Sequence, residues 1–103
     1  MLLAVYTSVD SADTARALAR ALVECGLAAC AQVSTIESCY RWKGSVETAH
    51  EWRILFKTTD DRYGAVEAAI RALHPYELPD IHAVAFEHAF APYAAWIEEG
   101  SHG

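Results

Sequence analysis

Leu27-Ala28-Ala29-Cys30-Ala31-Gln32-Val33-Ser34-Thr35-Ile36-Glu37-Ser38-Cys39-Tyr40-Arg41-Trp42-Lys43-Gly44-Ser45-Val46-Glu47-Thr48-Ala49-His50-Glu51-Trp52-Arg53-Ile54-Leu55-Phe56-Lys57-Thr58-Thr59 reads as two long strands that meet at Lys43-Gly44. Both arms are rich in β-branched and aromatic residues, and a glycine stands at the turn, so the stretch is one extended β-hairpin. In the second arm His50, Trp52, Ile54 and Phe56 share one face, while Glu51, Arg53, Leu55 and Lys57 share the other. The first arm is less regular. Ala29, Ala31 and Val33 have one parity and Ile36, Tyr40 and Trp42 the other, which predicts a bend or bulge near Ser34-Thr35. Both arms exceed the usual strand length of a small sheet.

Working outward, Leu2 to Ser8 is a short apolar run suited to a buried central strand. Residues 11 to 25 change to helical period through Ala15, Leu18, Ala19, Leu22 and Val23, with Asp10 or Ser11 to cap the start and Gly26 to end it. After the hairpin, Tyr63, Val66, Ile70 and Leu73 repeat at helical spacing over residues 60 to 73, and Pro75 enforces the stop. Ile81 to Glu87 reads as a fourth strand and Pro92 to Glu99 as a short helix. The order β-α-β-β-α-β-α predicts an α+β fold over residues 1-103: a ferredoxin-like βαββαβ sandwich with an extended β-hairpin and a short C-terminal helix. The helices lie on one face of the sheet in this reading. The other face is left uncovered, so self-association is the natural way to bury it and to pair the hairpin's edges.

With 103 residues the chain has room for one core, and 53% apolar content supplies it. The net charge of −6 and the scattered Lys and Arg residues leave no positive track for a nucleic acid. No apolar run reaches the length of a membrane span and no secretory signal opens the sequence, which points to a cytoplasmic protein without a membrane partner. Cys25, Cys30 and Cys39 are an odd set without CxxC spacing, so free thiols are expected instead of a disulfide framework or a zinc knuckle.

The link Leu73-His74-Pro75-Tyr76-Glu77-Leu78-Pro79-Asp80-Ile81 packs an imidazole, a phenol and two carboxylates between a helix and a strand. Its prolines fix φ and push His74 and Leu78 out of helical geometry. Two readings stand for it: a shaped functional loop, or a stiff turn with Tyr76 as a lid on the core.

Leu27-Ala28-Ala29-Cys30, Tyr40-Arg41-Trp42-Lys43-Gly44, Glu51-Trp52, Leu55-Phe56-Lys57-Thr58-Thr59, Leu73 to Ile81, and Tyr93-Ala94-Ala95-Trp96-Ile97 run in order over nearly the whole chain, and with them the sequence resembles the CutA family of divalent-cation-tolerance proteins. The resemblance implies a cytoplasmic homotrimer, similar in architecture to the PII signalling proteins, with links to copper and other divalent metals and no reaction. It places the metal-associated cysteine and histidine on Cys30 and His74, and the residues of a ligand cleft on Tyr40, Trp42, Lys57, Tyr76, Glu77 and Trp96. A further metal-linked cysteine of some members corresponds to Tyr6 here, and the bend of the second strand is shortened.

One thiolate and one imidazole suit copper or zinc and not magnesium or calcium. Two ligands do not close a structural site, so copper or zinc is expected to bind weakly and is not required for folding. Against this stand the plain readings of Cys30 as a packed strand residue and of His74 as a helix-ending imidazole bonded to backbone. Trp42, Trp52 and Trp96 read by default as core or interface, and His102 as part of a mobile tail. The sequence has no asparagine for acylphosphatase chemistry, no CxxC after the first strand, and no nucleotide or hydrolase motif. A non-enzymatic protein is the expectation, with a PII-like module that takes a small ligand between subunits as the alternative.

Overall fold

The computed structural model describes residues 1–103. The elements run β1 (Leu2–Val9), α1 (Ala12–Glu24), β2 (Cys30–Trp42), β3 (Ser45–Thr59), a 3-10 turn over Asp60–Arg62, α2 (Tyr63–Leu73), β4 (His82–Ala85) and α3 (Ala91–Gly100). The sheet is antiparallel in the order β2-β3-β1-β4, the arrangement expected of a ferredoxin-like sandwich.

The hairpin turns as its sequence asks. Lys43 and Gly44 both have positive φ, +48° and +84°, the geometry of a tight turn whose twist matches the flanking strands. The expected bulge near Ser34-Thr35 is absent: Cys30 opposite Lys57 begins a register that continues through Ser34–Arg53 and Thr35–Trp52 to Trp42–Ser45 without a skipped residue. The change of hydrophobic parity has another origin. Ala31 and Val33 lie opposite Phe56 and Ile54 on the helix-covered face, whereas Ile36, Tyr40 and Trp42 lie in the projecting arm on the opposite face. Each half of β2 meets a different environment, so its apolar face changes while its pleat does not.

Leu3, Val5, Val9, Ile54 and Phe56 point from the sheet into the core, where they meet Ala15, Leu18 and Leu22 of α1 and Val66 and Ile70 of α2. Ser11 caps α1 by accepting the Thr14 N–H at 3.1 Å. Gly26 leaves the helix at φ +76° and cannot be replaced cheaply, because that backbone conformation disfavours other residues and a Cβ there would run into the backbone of Gly103.

Two expectations need correction. First, the second face of the sheet is not wholly bare: Lys57, opposite in orientation to the core residue Phe56, donates to the Tyr93 hydroxyl of α3 at 2.7 Å. The third helix therefore lies against one end of that face, with Ile97 fully buried. Second, His102 is not in a loose tail. Its ring bonds Asp61 Oδ2 at 2.7 Å and the Glu98 carbonyl at 2.7 Å, while Ser101 is buried and donates to the Ile97 carbonyl.

This clasp has a pH signature. The Thr59 hydroxyl, with help from His102, holds the Asp61 carboxyl down at about 2, and Asp61 together with the Glu98 carbonyl raises His102 above its ordinary value of 6.5. Asp61's share of stability is complete above its unfolded value of 3.8 and is lost as pH falls toward about 2. His102's share is complete below 6.5 and is lost as pH rises through the raised folded value. An NMR titration should place the His102 midpoint above 6.5, and Asp61→Asn should lower it. An unchanged midpoint in that variant would remove the clasp.

Candidate functional site

β4 is short, and its shortness organises the loop before it. It pairs with β1 only from Leu3 to Tyr6, so the next outward-directed backbone groups of β1, those of Ser8, have no strand partner. The loop supplies substitutes. Asp80 accepts the Ser8 N–H at 3.2 Å and the Ser8 hydroxyl at 2.7 Å, and His74 Nε2 bonds the Ser8 carbonyl at 2.8 Å and the Thr7 hydroxyl at 3.1 Å. A carbonyl only accepts, so Nε2 carries the ring proton, and Nδ1 is left to accept the Tyr76 N–H at 3.2 Å. Thr7 and Ser8 are buried, and these bonds satisfy polar groups that would otherwise be stranded.

The same anchoring presents Tyr76 to the hairpin. Its ring meets that of His74 edge-on at 4.8 Å, and its hydroxyl donates to Glu51 Oε2 at 2.6 Å. Burial first, then the hydrogen bond and charge of Glu51, push the Tyr76 phenol far above its ordinary range, so it remains a donor. Lys43 at the hairpin turn meets Glu77 at 3.4 Å, an exposed pair of small energetic value that nevertheless ties loop to arm. Between loop and arm lies an open groove of about 870 Å³, within the size range of small-molecule sites, lined among others by Tyr40, Trp42, Glu51, Arg53, Tyr76 and Glu77.

Of the six residues expected in one cleft, four therefore converge: Tyr40, Trp42, Tyr76 and Glu77. Lys57 and Trp96 do not join them within the subunit. Lys57 is six positions along β3 from Glu51, about 20 Å, and it bonds Tyr93, whose ring stacks on Trp96 at 5.7 Å. Trp96 is 50% exposed, not a core residue.

The expected metal pair is not formed within the subunit either. Cys30 shares the orientation of Lys57, on the face away from the two larger helices, whereas His74 reaches Thr7, whose neighbours Val5 and Val9 face the core. The two points are also separated by two strand spacings and about three residues along the sheet, roughly 10 Å in each direction. Both nitrogens of His74 are already engaged. The residues thus do not fit a copper or zinc ion shared inside one subunit, and His74 takes the backbone-bonded role. No group of three or more His, Cys, Asp or Glu side chains is arranged to hold a metal ion.

Sequence reasoning missed Glu51 and Asp80 as members of the site. Glu51 gave no signal of its own, because the alternation that turns Ile54 and Phe56 into the core sets it on the other face beside Arg53 and Leu55. Only the tertiary fold brings Tyr76 to it.

Residues 3–100 match the family of CutA1 divalent ion tolerance proteins. A divalent-cation tolerance protein CutA of Thermus thermophilus is 38% identical over 98 residues, covering 94% of this chain and 95% of that protein. Among solved structures, the periplasmic divalent cation tolerance protein CutA from Archaeoglobus fulgidus superposes with a TM-score of 0.95 at 31% identity, covering 98% of this chain and 99% of that one. The stable protein CutA1 from the psychrotrophic bacterium Shewanella sp. SIB1 gives a TM-score of 0.93 at 37% identity over 97% of this chain and 94% of that one.

Proposed function

Because the chain belongs to the CutA1 divalent ion tolerance family, we propose that it serves cation tolerance as a non-enzymatic cytoplasmic homotrimer whose working site is the groove between the hairpin and the 74–80 loop. The observation that carries this reading is the convergence of Tyr40, Trp42, Tyr76 and Glu77 on that groove around the nearly buried Glu51. An open groove with aromatic walls and a few converging polar groups supports a binding role.

The trimer draws support from the hairpin. β1 pairs with β3 only as far as Trp52, so beyond it the two-stranded arm has both edges unpaired, in a subunit measuring 45 × 26 × 22 Å. Pairing of those edges with another copy satisfies their N–H and C=O groups and removes a surface prone to open-ended aggregation. Sedimentation equilibrium at micromolar concentration should give three times the subunit mass of 11.3 kDa, and the mass of one subunit would defeat the assembly.

Copper or zinc binding is weak in this reading, with Cys30 as the subunit's soft donor and the remaining ligands drawn from another subunit. Cys30→Ser should lower the affinity for copper and Cys25→Ser should not. Equal affinities in the two variants would exclude Cys30. The second reading, a PII-like module answering to a small molecule, is favoured by the size of the groove and by its aromatic lining.

A further inference from the structure

We propose that the groove binds a small organic cation through a primary ammonium or guanidinium group, with Glu51 as the anchoring carboxylate, an inference that rests on the groove being a ligand cleft.

Glu51 is the first reason. It is only 9% exposed and enters none of the chain's four ion pairs. Its Oε2 receives the Tyr76 hydroxyl, while Oε1 takes no hydrogen bond from the chain and belongs to a residue that lines the groove. The carboxylate is thus held in place through one oxygen, while the other is not sealed from the groove and stays free to accept. An ammonium group entering the groove would supply the missing charge and further donors.

The lining holds more acid than base, with Glu37, Glu51, Glu77 and Asp80 against Arg41 and Arg53. The charges of Glu51 and Asp10 both raise the Tyr76 phenol after burial has done so, which marks a negative field at the phenol. Asp80 lines the groove as an acceptor already fixed by Ser8, and Glu77 adds a carboxylate that Lys43 meets at 3.4 Å from outside. The guanidinium of Arg53 lies over the Tyr6 ring at 5.7 Å and is not bonded to any of these acids.

Aromatic faces complete the case. Tyr40, Trp42 and Tyr76 border the groove, and ring faces attract cations. Trp42 already does so, with the Lys43 ammonium 5.4 Å from its ring centre. A small anion would find Arg41 and Arg53 outnumbered by the lining carboxylates. No three or more His, Cys, Asp or Glu side chains are grouped to hold a metal ion instead.

The test uses the native assembly, 1,4-diaminobutane as the cationic probe and glutarate as the anionic one, read by equilibrium dialysis and by the indole N–H resonance of Trp42. The diamine should bind saturably and shift that resonance. Glu51→Gln, which keeps an acceptor for Tyr76, should weaken binding about tenfold or more, and the exposed Tyr40→Ala about threefold. Diamine binding unchanged in both variants would reduce the effect to diffuse charge and overturn the proposal. Should glutarate shift Trp42 with no dependence on Glu51, the cleft stands and the cationic class is wrong. Should neither probe nor a mixed set of neutral metabolites move Trp42, the cleft reading falls and takes the proposal with it.

Discussion

Replacement of His74 by alanine is expected to cost about 2 to 4 kcal/mol of folding stability in the absence of any metal. The imidazole satisfies the Ser8 carbonyl and the Thr7 hydroxyl on one nitrogen and the Tyr76 N–H on the other, and Thr7 is fully buried. Alanine would strand all three groups. Each buried polar group left without a partner costs about 1 to 3 kcal/mol, and water entering the vacated space recovers some of it. The loss should also loosen Tyr76 and therefore the groove, because the imidazole fixes both its backbone and its ring. Urea unfolding at fixed protein concentration, with chelator present, gives the measurement. A variant within about 0.5 kcal/mol of the parent would show that the imidazole does not hold this loop. Cys30→Ser, a half-buried change outside the core cluster, is the matched control and should shift stability far less.

Phe56→Ala is expected to cost about 3 to 5 kcal/mol, the range for removing a buried aromatic ring. Phe56 sits in the middle of the sheet, paired on one side with Val5 and on the other with Ala31, and is the largest of the fully buried side chains. The strands on both sides hold its backbone in place, so the surroundings cannot collapse far into the cavity. Phe56→Leu keeps most of the volume and should cost about 1.5 kcal/mol or less. A common midpoint for the two variants would mean that the space under α1 and α2 refills easily. Since small domains are stable by about 5 to 15 kcal/mol, the alanine variant is expected to lose a large share of its stability.

The hairpin and the two amphipathic helices were legible in the sequence because each rests on a local period, and the order of elements matched one known arrangement, the ferredoxin-like sandwich. Ala15, Leu18 and Leu22 all fall inward, as do Val66 and Ile70. Ser11 and Gly26 punctuate the first helix for reasons of backbone chemistry that hold in any fold. The groove was expected only from the family resemblance, which set Tyr40, Trp42, Tyr76 and Glu77 in one cleft, and the fold brings those four together. Even the odd parity of β2 was real, although its cause was a change of neighbours along the strand and not an inserted residue.

Tertiary structure alone decided what the polar residues do. The resemblance made Cys30 and His74 a soft-metal pair, but within one copy of the chain they lie two strand spacings and about three residues apart, and both nitrogens of the histidine are engaged at the end of a short β4. Lys57 lies six residues from Glu51 on the same strand, and only the docking of α3 against that end of β3 gives it to Tyr93. Glu51, one acid among fourteen acidic residues in the sequence, becomes distinctive only when the loop buries it under Tyr76. Hydrophobic periodicity is a local quantity that survives into any fold the chain adopts. Which donor meets which acceptor is a property of segments that are remote in sequence, and it exists only once the strands have been ordered beside one another.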